Sequence, residues 1–262
     1  MRWKALAASV VAETVALARR ASAPRYGLRI LMYHAVGSPV RDDRLGIFSI
    51  SPHDFRAHVD LLASMPEVRT VPLEPLELPQ NSLKVAVTFD DGYQDNLDTA
   101  APLLVERGIP FSVFVTTDFV KERVQGFLTL PTLKALANFP GATIGAHGRS
   151  HRSLLECNDA DLMEELTSSK SYLEDITGRP VSTLAYPYGA TNRRVRDAAE
   201  RAGYTLGLSS RFDINRPGRD RLMLNRCNVL RGDSPRILRQ KLRGDWDWYR
   251  WRSRDPLEGG SR

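Results

Sequence analysis

Apolar positions along this chain alternate between two spacings. Short apolar or β-branched runs occupy Leu28–Tyr33, Leu83–Phe89, Phe111–Val115, Ala142–Ala146, Val181–Ala185 and Asn228–Leu230. Their length and the turn residues around them predict strands. Between the runs, apolar residues return every three or four positions. Ser51-Pro52 opens one such stretch, with Phe55, Val59 and Leu62 on one side. Asn158 or Asp159 caps another, in which Leu162, Leu166, Leu173 and Ile176 keep the helical period until Gly178. A third starts at Thr191 or Asn192 and ends near Gly203. A polar cap before the periodic residues and a glycine after them are the boundaries a helix requires.

Strands that lack polar alternation are buried on both faces, which calls for a parallel sheet with helices outside it. The class is therefore α/β, as a doubly wound sheet or a (β/α) barrel. In both, the C-terminal ends of the strands converge on one face, so chemistry is expected there.

Composition narrows the picture only a little. The 262 residues are 42% hydrophobic and 26% charged, close to the soluble globular average. That excludes a disordered polymer, a collagen-like repeat and a polytopic membrane protein. The length suffices to bury a core without a disulfide or metal staple. A net charge of +6 favours anionic surfaces without naming one. Cys157 and Cys227 lie outside any zinc-type or CxxC spacing. They fit a reduced compartment or a fold indifferent to redox, with a single disulfide left open. Near the start, Arg2 and Lys4 precede the run Ala5–Ala12, and Ala16-Leu17-Ala18 resembles a small-residue cleavage site. Glu13 and Thr14 interrupt that run, which falls well short of the roughly 20 residues of a bilayer span. Residues 1–24 are therefore read as a retained amphipathic helix, from about Trp3 to Arg20, of a cytoplasmic protein. Export is the alternative.

Four strand ends carry candidate chemistry. Leu83–Phe89 runs into Asp90-Asp91-Gly92-Tyr93. Adjacent carboxylates before a turn glycine can point apart, one toward a cation and the other free as a base. Ala142–Ala146 runs into His147-Gly148-Arg149-Ser150-His151, and two of the five histidines thus sit four apart, a spacing that lets two imidazoles share one zinc-like ion. Val181–Ala185 leads into Tyr186-Pro187-Tyr188-Gly189, a turn that can aim backbone N–H groups at a developing oxyanion. Leu28–Tyr33 closes on His34, which shares the same mouth if the strands are parallel. Each piece alone also reads plainly as a helix cap, a satisfied histidine or an ordinary loop.

Together these segments resemble the polysaccharide deacetylase family, the NodB-like carbohydrate esterases of family 4. The carriers are Thr88-Phe89-Asp90-Asp91-Gly92-Tyr93, His147-xxx-His151 and Tyr186-Pro187-Tyr188-Gly189, in the family's order, within a resemblance spanning about Leu28 to Leu230. The resemblance implies a deformed (β/α)7 barrel of the NodB-homology type over residues 25–245. It also implies a divalent metal, Zn2+ first with Co2+, Ni2+ or Mn2+ as alternatives, held by Asp91, His147 and His151. Asp90 becomes the catalytic base, and the Tyr188 N–H part of the oxyanion hole. Two departures stand out. Ala185 occupies the place of an arginine common two residues before the proline of the third motif, and no histidine follows His151 to act as the late general acid. The segment Ile30–Gly37 looks like the start of deacetylases acting on exported poly-N-acetylglucosamine adhesins, whose acid-bearing strand is permuted to the front. By that likeness His34 is the acid, and Arg226 replaces the missing arginine by orienting Asp90.

The implied activity is metal-dependent N-deacetylation of N-acetylglucosamine units in a bacterial exopolysaccharide or its lipid-linked precursor. Peptidoglycan deacetylation, a different metal-dependent hydrolase and a non-catalytic carbohydrate-binding module on a decayed barrel are the alternatives. The implied partners are that polysaccharide and, beyond it, a membrane surface or export machinery, with no nucleic acid. His53 and His58 are read as surface residues of the helix after Ser51-Pro52. Residues 246–262 form a tail in which Trp246, Trp248, Tyr249 and Trp251 follow Arg236, Arg239, Lys241 and Arg243. The favoured arrangement is a C-terminal helix whose aromatics pack on the barrel and whose bases stay solvated, with Glu258–Arg262 disordered.

Overall fold

The computed structural model describes Val11, Thr14, residues 26–252 and Asp255. Apart from Val11 and Thr14, the helix expected from Trp3 to Arg20 lies outside the described residues, as do residues 258–262. The chain runs β1 (Gly27–Tyr33), β2 (Ala35–Val36), β3 (Ser49–Ile50), α1 (Pro52–Ser64), β4 (Val68–Thr70), β5 (Leu83–Phe89) and α2 (Ala101–Glu106). It continues through β6 (Phe111–Val115), α3 (Thr117–Lys121), α4 (Leu130–Ala137), β7 (Ala142–Ala146), α5 (Asp159–Thr177) and β8 (Thr183–Ala185). It ends with α6 (Arg193–Arg201), β9 (Leu206–Leu208), β10 (Cys227–Asn228) and α7 (Pro235–Arg243).

One parallel sheet runs in the order β10-β1-β5-β6-β7-β8-β9, with β4 added beside the start of β5. The sheet curls back on itself through a single parallel bridge from Leu208 to Leu224, three residues before β10. This is the deformed (β/α)7 barrel. Its deformation is visible in β5, whose outer edge is shared between β4 at Leu83–Val85 and β6 at Val87–Phe89. Burial explains the absence of alternation in the sequence: all seven residues of β1 and all five of β6 are buried. Among the described residues, no helix is long and apolar enough to cross a membrane.

The helices begin where the capping signals place them. Ser51 accepts from the Asp54 N–H before α1, Asn158 from the Asp161 N–H before α5, and Asn192 from the Val195 N–H before α6. Gly178 ends α5 in the left-handed conformation. Two strand ends shift because side chains intercept backbone donors. Glu174 takes the Val181 N–H, so β8 starts at Thr183. Asp233 takes the Leu230 N–H, so β10 is Cys227–Asn228 rather than Asn228–Leu230.

Two expectations about polar residues are corrected. His53 is exposed, but His58 is fully buried, its Nδ1 3.2 Å from the Tyr33 hydroxyl and its Nε2 2.7 Å from the Asp233 carbonyl. In α7, Arg236, Arg239 and Arg243 are exposed as expected, whereas Lys241 is buried with its ammonium on Asp233 at 2.5 Å and on the Asn228 carbonyl at 2.8 Å. Beyond α7, Trp246 is buried and Trp248 and Tyr249 pack against the core, while Trp251 is 79% exposed. Both cysteines are free and buried.

Candidate active site

Strand register brings the candidates together. Tyr33 pairs with Phe89, Phe89 with Val113, Val115 with Ala146, Ala146 with Leu184 and Ala185 with Leu208. The residues that follow, His34, Asp90, His147 and Tyr186, therefore all leave the C-terminal end of one sheet. His34 and Asp90 are level, while β6, β7 and β8 run further on, because Val113 rather than Val115 pairs with Phe89 and Leu184 rather than Ala185 pairs with Ala146. The Asp90 N–H extends the ladder by one more bond, to the Tyr33 carbonyl at 3.0 Å. The backbone then reverses, with Asp91 at φ +72° and Gly92 at φ +82°. A left-handed non-glycine residue is costly and is kept only where its surroundings impose it. Here the reversal sends the two adjacent carboxylates in different directions.

Asp90 turns toward Arg226, which comes from the segment entering β10. Nη1 donates to Oδ1 at 2.6 Å and Nη2 to Oδ2 at 2.7 Å, and both side chains are buried. The guanidinium is itself fixed by Nε donating to the Ser209 carbonyl at 2.9 Å. Burial alone raises a carboxyl, but Arg226, aided by His147 and His34, outweighs it and holds Asp90 below the usual carboxylate range.

Asp91 turns toward the two histidines. Its Oδ1 lies 3.4 Å from His147 Nε2 and 3.2 Å from His151 Nε2. These three residues offer ligand atoms all within 4.8 Å of one another. His147 Nδ1 sits 2.8 Å from the Ala185 carbonyl. That contact makes Nδ1 the donor and leaves the Nε2 lone pair facing Asp91, the tautomer a metal ligand needs. Asp91 Oδ1 is buried and makes no hydrogen bond, an arrangement that is expensive unless a cation completes it. Burial pushes Asp91 up, yet without a cation the two imidazoles, protonated on the Nε2 atoms that face it, hold it well below the carboxylate range. One carboxylate and two imidazoles suit a zinc-like ion with positions left for water and substrate, so the residues fit a divalent metal.

The remaining candidates line the same cleft, of about 320 Å³, along with Arg41, Asp42, Phe48 and Phe119. Tyr188 sits at φ +60° in a tight turn closed by Gly189 N–H on the Tyr186 carbonyl at 2.7 Å. Gly189 is at φ +66°, and a Cβ there would meet Ser210 Oγ at 2.0 Å, so glycine is required. The Tyr188 ring, 63% exposed, leans on His151 with centroids 4.7 Å apart. His34 packs on Phe48 at 4.8 Å, its Nδ1 has no hydrogen-bond partner, and its carbonyl accepts from Asn96 Nδ2 at 2.9 Å. Burial depresses its pKa, opposed by Asp91 and Asp90.

The polysaccharide deacetylase family profile matches residues 78–207, which contain both aspartates, both histidines and Tyr188. The chain carries a polysaccharide deacetylase domain. It is 28% identical over 188 residues to the Bacillus subtilis protein YxkH, which bears a provisional polysaccharide deacetylase name, covering 70% of this chain and 64% of that one. Over 136 residues it is 27% identical to a Staphylococcus aureus poly-beta-1,6-N-acetyl-D-glucosamine N-deacetylase, covering 48% of this chain and 47% of that one. The match thus spans about half to under two-thirds of these relatives. Among solved structures, the Streptococcus pyogenes deacetylase PplD, in complex with acetate, superposes with a TM-score of 0.74 at 25% identity, over 84% of this chain and 99% of that one.

The deacetylase domain contains site elements that the sequence did not disclose. The loop carrying Arg41, Asp42 and Phe48 forms one wall of the cleft, tied down by Ser38 N–H on Asp95 Oδ2 and Arg41 N–H on the Tyr93 hydroxyl, both 2.9 Å. No periodic signal marks such a loop. Glu165 in α5 is buried beneath the two-histidine loop. Its signal was available, since it falls three residues after Leu162 and one before Leu166, on the apolar stripe.

Proposed function

We propose that the domain is a metal-dependent N-deacetylase acting on N-acetylglucosamine units of an exopolysaccharide or its lipid-linked precursor. The observation that carries this reading is an Asp91–His147–His151 cluster, buried except for a partly exposed His151, with a second carboxylate, Asp90, beside it and held apart from it by Arg226. The substrate assignment draws further support from the likeness to the staphylococcal poly-beta-1,6-N-acetyl-D-glucosamine N-deacetylase. A non-catalytic carbohydrate-binding module has no use for both carboxylates and both imidazoles.

Held by Asp91, His147 and His151, a divalent cation, Zn2+ first among the candidates, supplies a Lewis acid for the amide carbonyl and for water. Asp90, kept anionic by Arg226, accepts a proton from water as the oxygen attacks the acetyl carbon. The Tyr188 N–H donates to the oxygen that becomes negative, and one donor of this kind typically contributes about 2.7–4 kcal/mol. His34 delivers a proton to the nitrogen as the C–N bond breaks, so the sugar leaves as a neutral amine rather than an amide anion. The products are acetate and a glucosamine unit. A cytoplasmic enzyme meets this polymer as a lipid-linked precursor, an exported one as the finished chain.

The test is acetate release from N-acetylglucosamine oligomers by zinc-loaded protein, with Asp90→Asn alongside. Release by the wild type and not by the variant supports both the reaction and the base. No release from oligomers or polymer, despite one bound metal per chain, removes this substrate class. No release and no bound metal removes the catalytic reading.

A further inference from the structure

Between the two candidate ligand histidines, the chain makes an unusual reversal. Gly148 is at φ +71° and His151 at φ +62°, both in the left-handed region. Backbone turned this way cannot continue the β7 ladder, and its N–H groups need acceptors from elsewhere. One side chain supplies them. Glu165 Oε2 accepts from the Arg149 N–H at 2.8 Å and the Ser150 N–H at 3.0 Å, and Oε1 accepts from Ser150 Oγ at 2.6 Å. The carboxylate is almost fully buried and comes close enough that a Cβ on Gly148 would stand 3.3 Å from Oε2. On the other side, the loop is pinned by the start of α3, where the Asp118 N–H donates to the Arg149 carbonyl at 2.8 Å.

We propose that Glu165 is a positioning residue that sets how tightly the His147–His151 pair holds a divalent cation. The inference rests on the reading of Asp91, His147 and His151 as a metal site. The physical argument is pre-organisation. His151 in a left-handed conformation is unfavourable by itself, and three charge-assisted hydrogen bonds hold the loop in the one shape that puts both Nε2 atoms beside Asp91. A glutamine in this place keeps the size but removes the charge: its amide oxygen can still take the two backbone N–H groups, while its NH2 faces Ser150 Oγ, which must reverse from donor to acceptor. The loop then relaxes, and part of the binding free energy is spent restoring it.

The experiment is a zinc titration of the metal-stripped full chain against a competing chelator, with Tm measured in the metal-free state. Glu165→Gln is expected to raise the zinc Kd by about 10–100-fold, the range for partners that orient metal ligands. Ser150→Ala, which removes one of the three donors and folds more safely, is expected to raise it several-fold in the same direction. The control is Ser169→Ala. Its hydroxyl bonds the Glu165 and Leu166 carbonyls at 2.7 and 3.1 Å on the same helix without reaching the loop, so Tm should fall and Kd should not move. A wild-type Kd in both Glu165→Gln and Ser150→Ala, whatever happens to Tm, overturns the proposal and leaves the metal site standing. Wild-type protein that takes up no zinc overturns the metal-site reading, and this proposal with it.

Discussion

Arg226 and Asp90, 136 positions apart in the chain, meet in a buried bidentate pair with N–O distances of 2.6 and 2.7 Å. The pair links the segment that closes the barrel to the proposed catalytic base. A lysine keeps the charge but not the fork, so Arg226→Lys should bind zinc normally and lose activity by about 100-fold, as expected for a misplaced catalytic group. Arg226→Met strands a buried carboxylate and should cost about 3–5 kcal/mol in urea unfolding. Adding Asp90→Asn should recover part of that stability and none of the activity. An Arg226→Lys enzyme with wild-type kcat would remove Arg226 from the mechanism.

The parts of the site legible in the sequence are those where an apolar strand runs straight into a chemical group. Asp90, Asp91, His147 and His151 follow strands whose limits were read correctly, and parallel pairing then puts them all at the C-terminal end of one sheet. Arg226 was within reach only through a family likeness, because nothing local marks an arginine as the partner of a distant aspartate. β9 escaped detection because Leu206-Gly207-Leu208 is too short and too interrupted for a strand signal. The two residues misread, His58 and Lys241, and the one missed, Glu165, share one cause. Phe55, His58, Val59 and Leu62 keep a helical stripe, as do Leu162, Glu165, Leu166 and Leu173, and Leu238, Lys241 and Leu242 share a buried face. The period placed His58, Glu165 and Lys241 in the core, and their polarity argued against it. Polar groups enter a core when a partner awaits them, and those partners, Tyr33, Asp233 and the 149–150 backbone, come from other elements.

His34 makes a prediction that separates acid catalysis from metal binding. His34→Ala should keep the wild-type zinc Kd and lower kcat on acetamides by about 10²–10⁴-fold, the usual range for a positioned acid. On an aryl acetate, whose leaving group departs without a proton, the loss should shrink to a few-fold. Equal losses on both substrates would show that His34 does something other than protonate the leaving nitrogen.

A second buried ion pair lies away from the chemistry. Arg29 in β1 bonds Asp247 at 2.8 and 3.0 Å and the Leu242 carbonyl at 2.9 Å, tying the segment after α7 to the barrel wall. Asp247→Ala leaves the guanidinium buried without its counter-charge and should destabilise the chain by about 3–5 kcal/mol. Replacing both, with Arg29→Met and Asp247→Leu, should regain most of that loss, because two apolar groups carry no desolvation penalty. A double variant no more stable than Asp247→Ala would mean that the pair's geometry, rather than its charge balance, holds the segment.

His58 gives the stability a pH dependence of defined sign. Its Nε2–H donates to the Asp233 carbonyl and its Nδ1 accepts from the Tyr33 hydroxyl, so both nitrogens are used by the neutral ring. Burial lowers its pKa from the ordinary 6.5, outweighing the Asp233 carbonyl contact and the Asp233 and Asp54 charges, while Lys241 pushes the same way as burial. The unfolded chain therefore binds a proton that the native chain refuses. Above the unfolded value the His58 contribution is fully present. As pH falls through about 6.5 toward the lower native value it is lost, with a slope of at most about 1.4 kcal/mol per unit. Urea unfolding of the metal-free protein from about pH 7.5, one unit above the ordinary histidine value, down to about pH 5 should show this decline. His58→Gln should start about 1–3 kcal/mol less stable, having lost a well-placed buried hydrogen bond. Its pH profile should be flatter, because the group that titrates is gone. A His58→Gln profile parallel to wild type would assign the acid sensitivity to other groups.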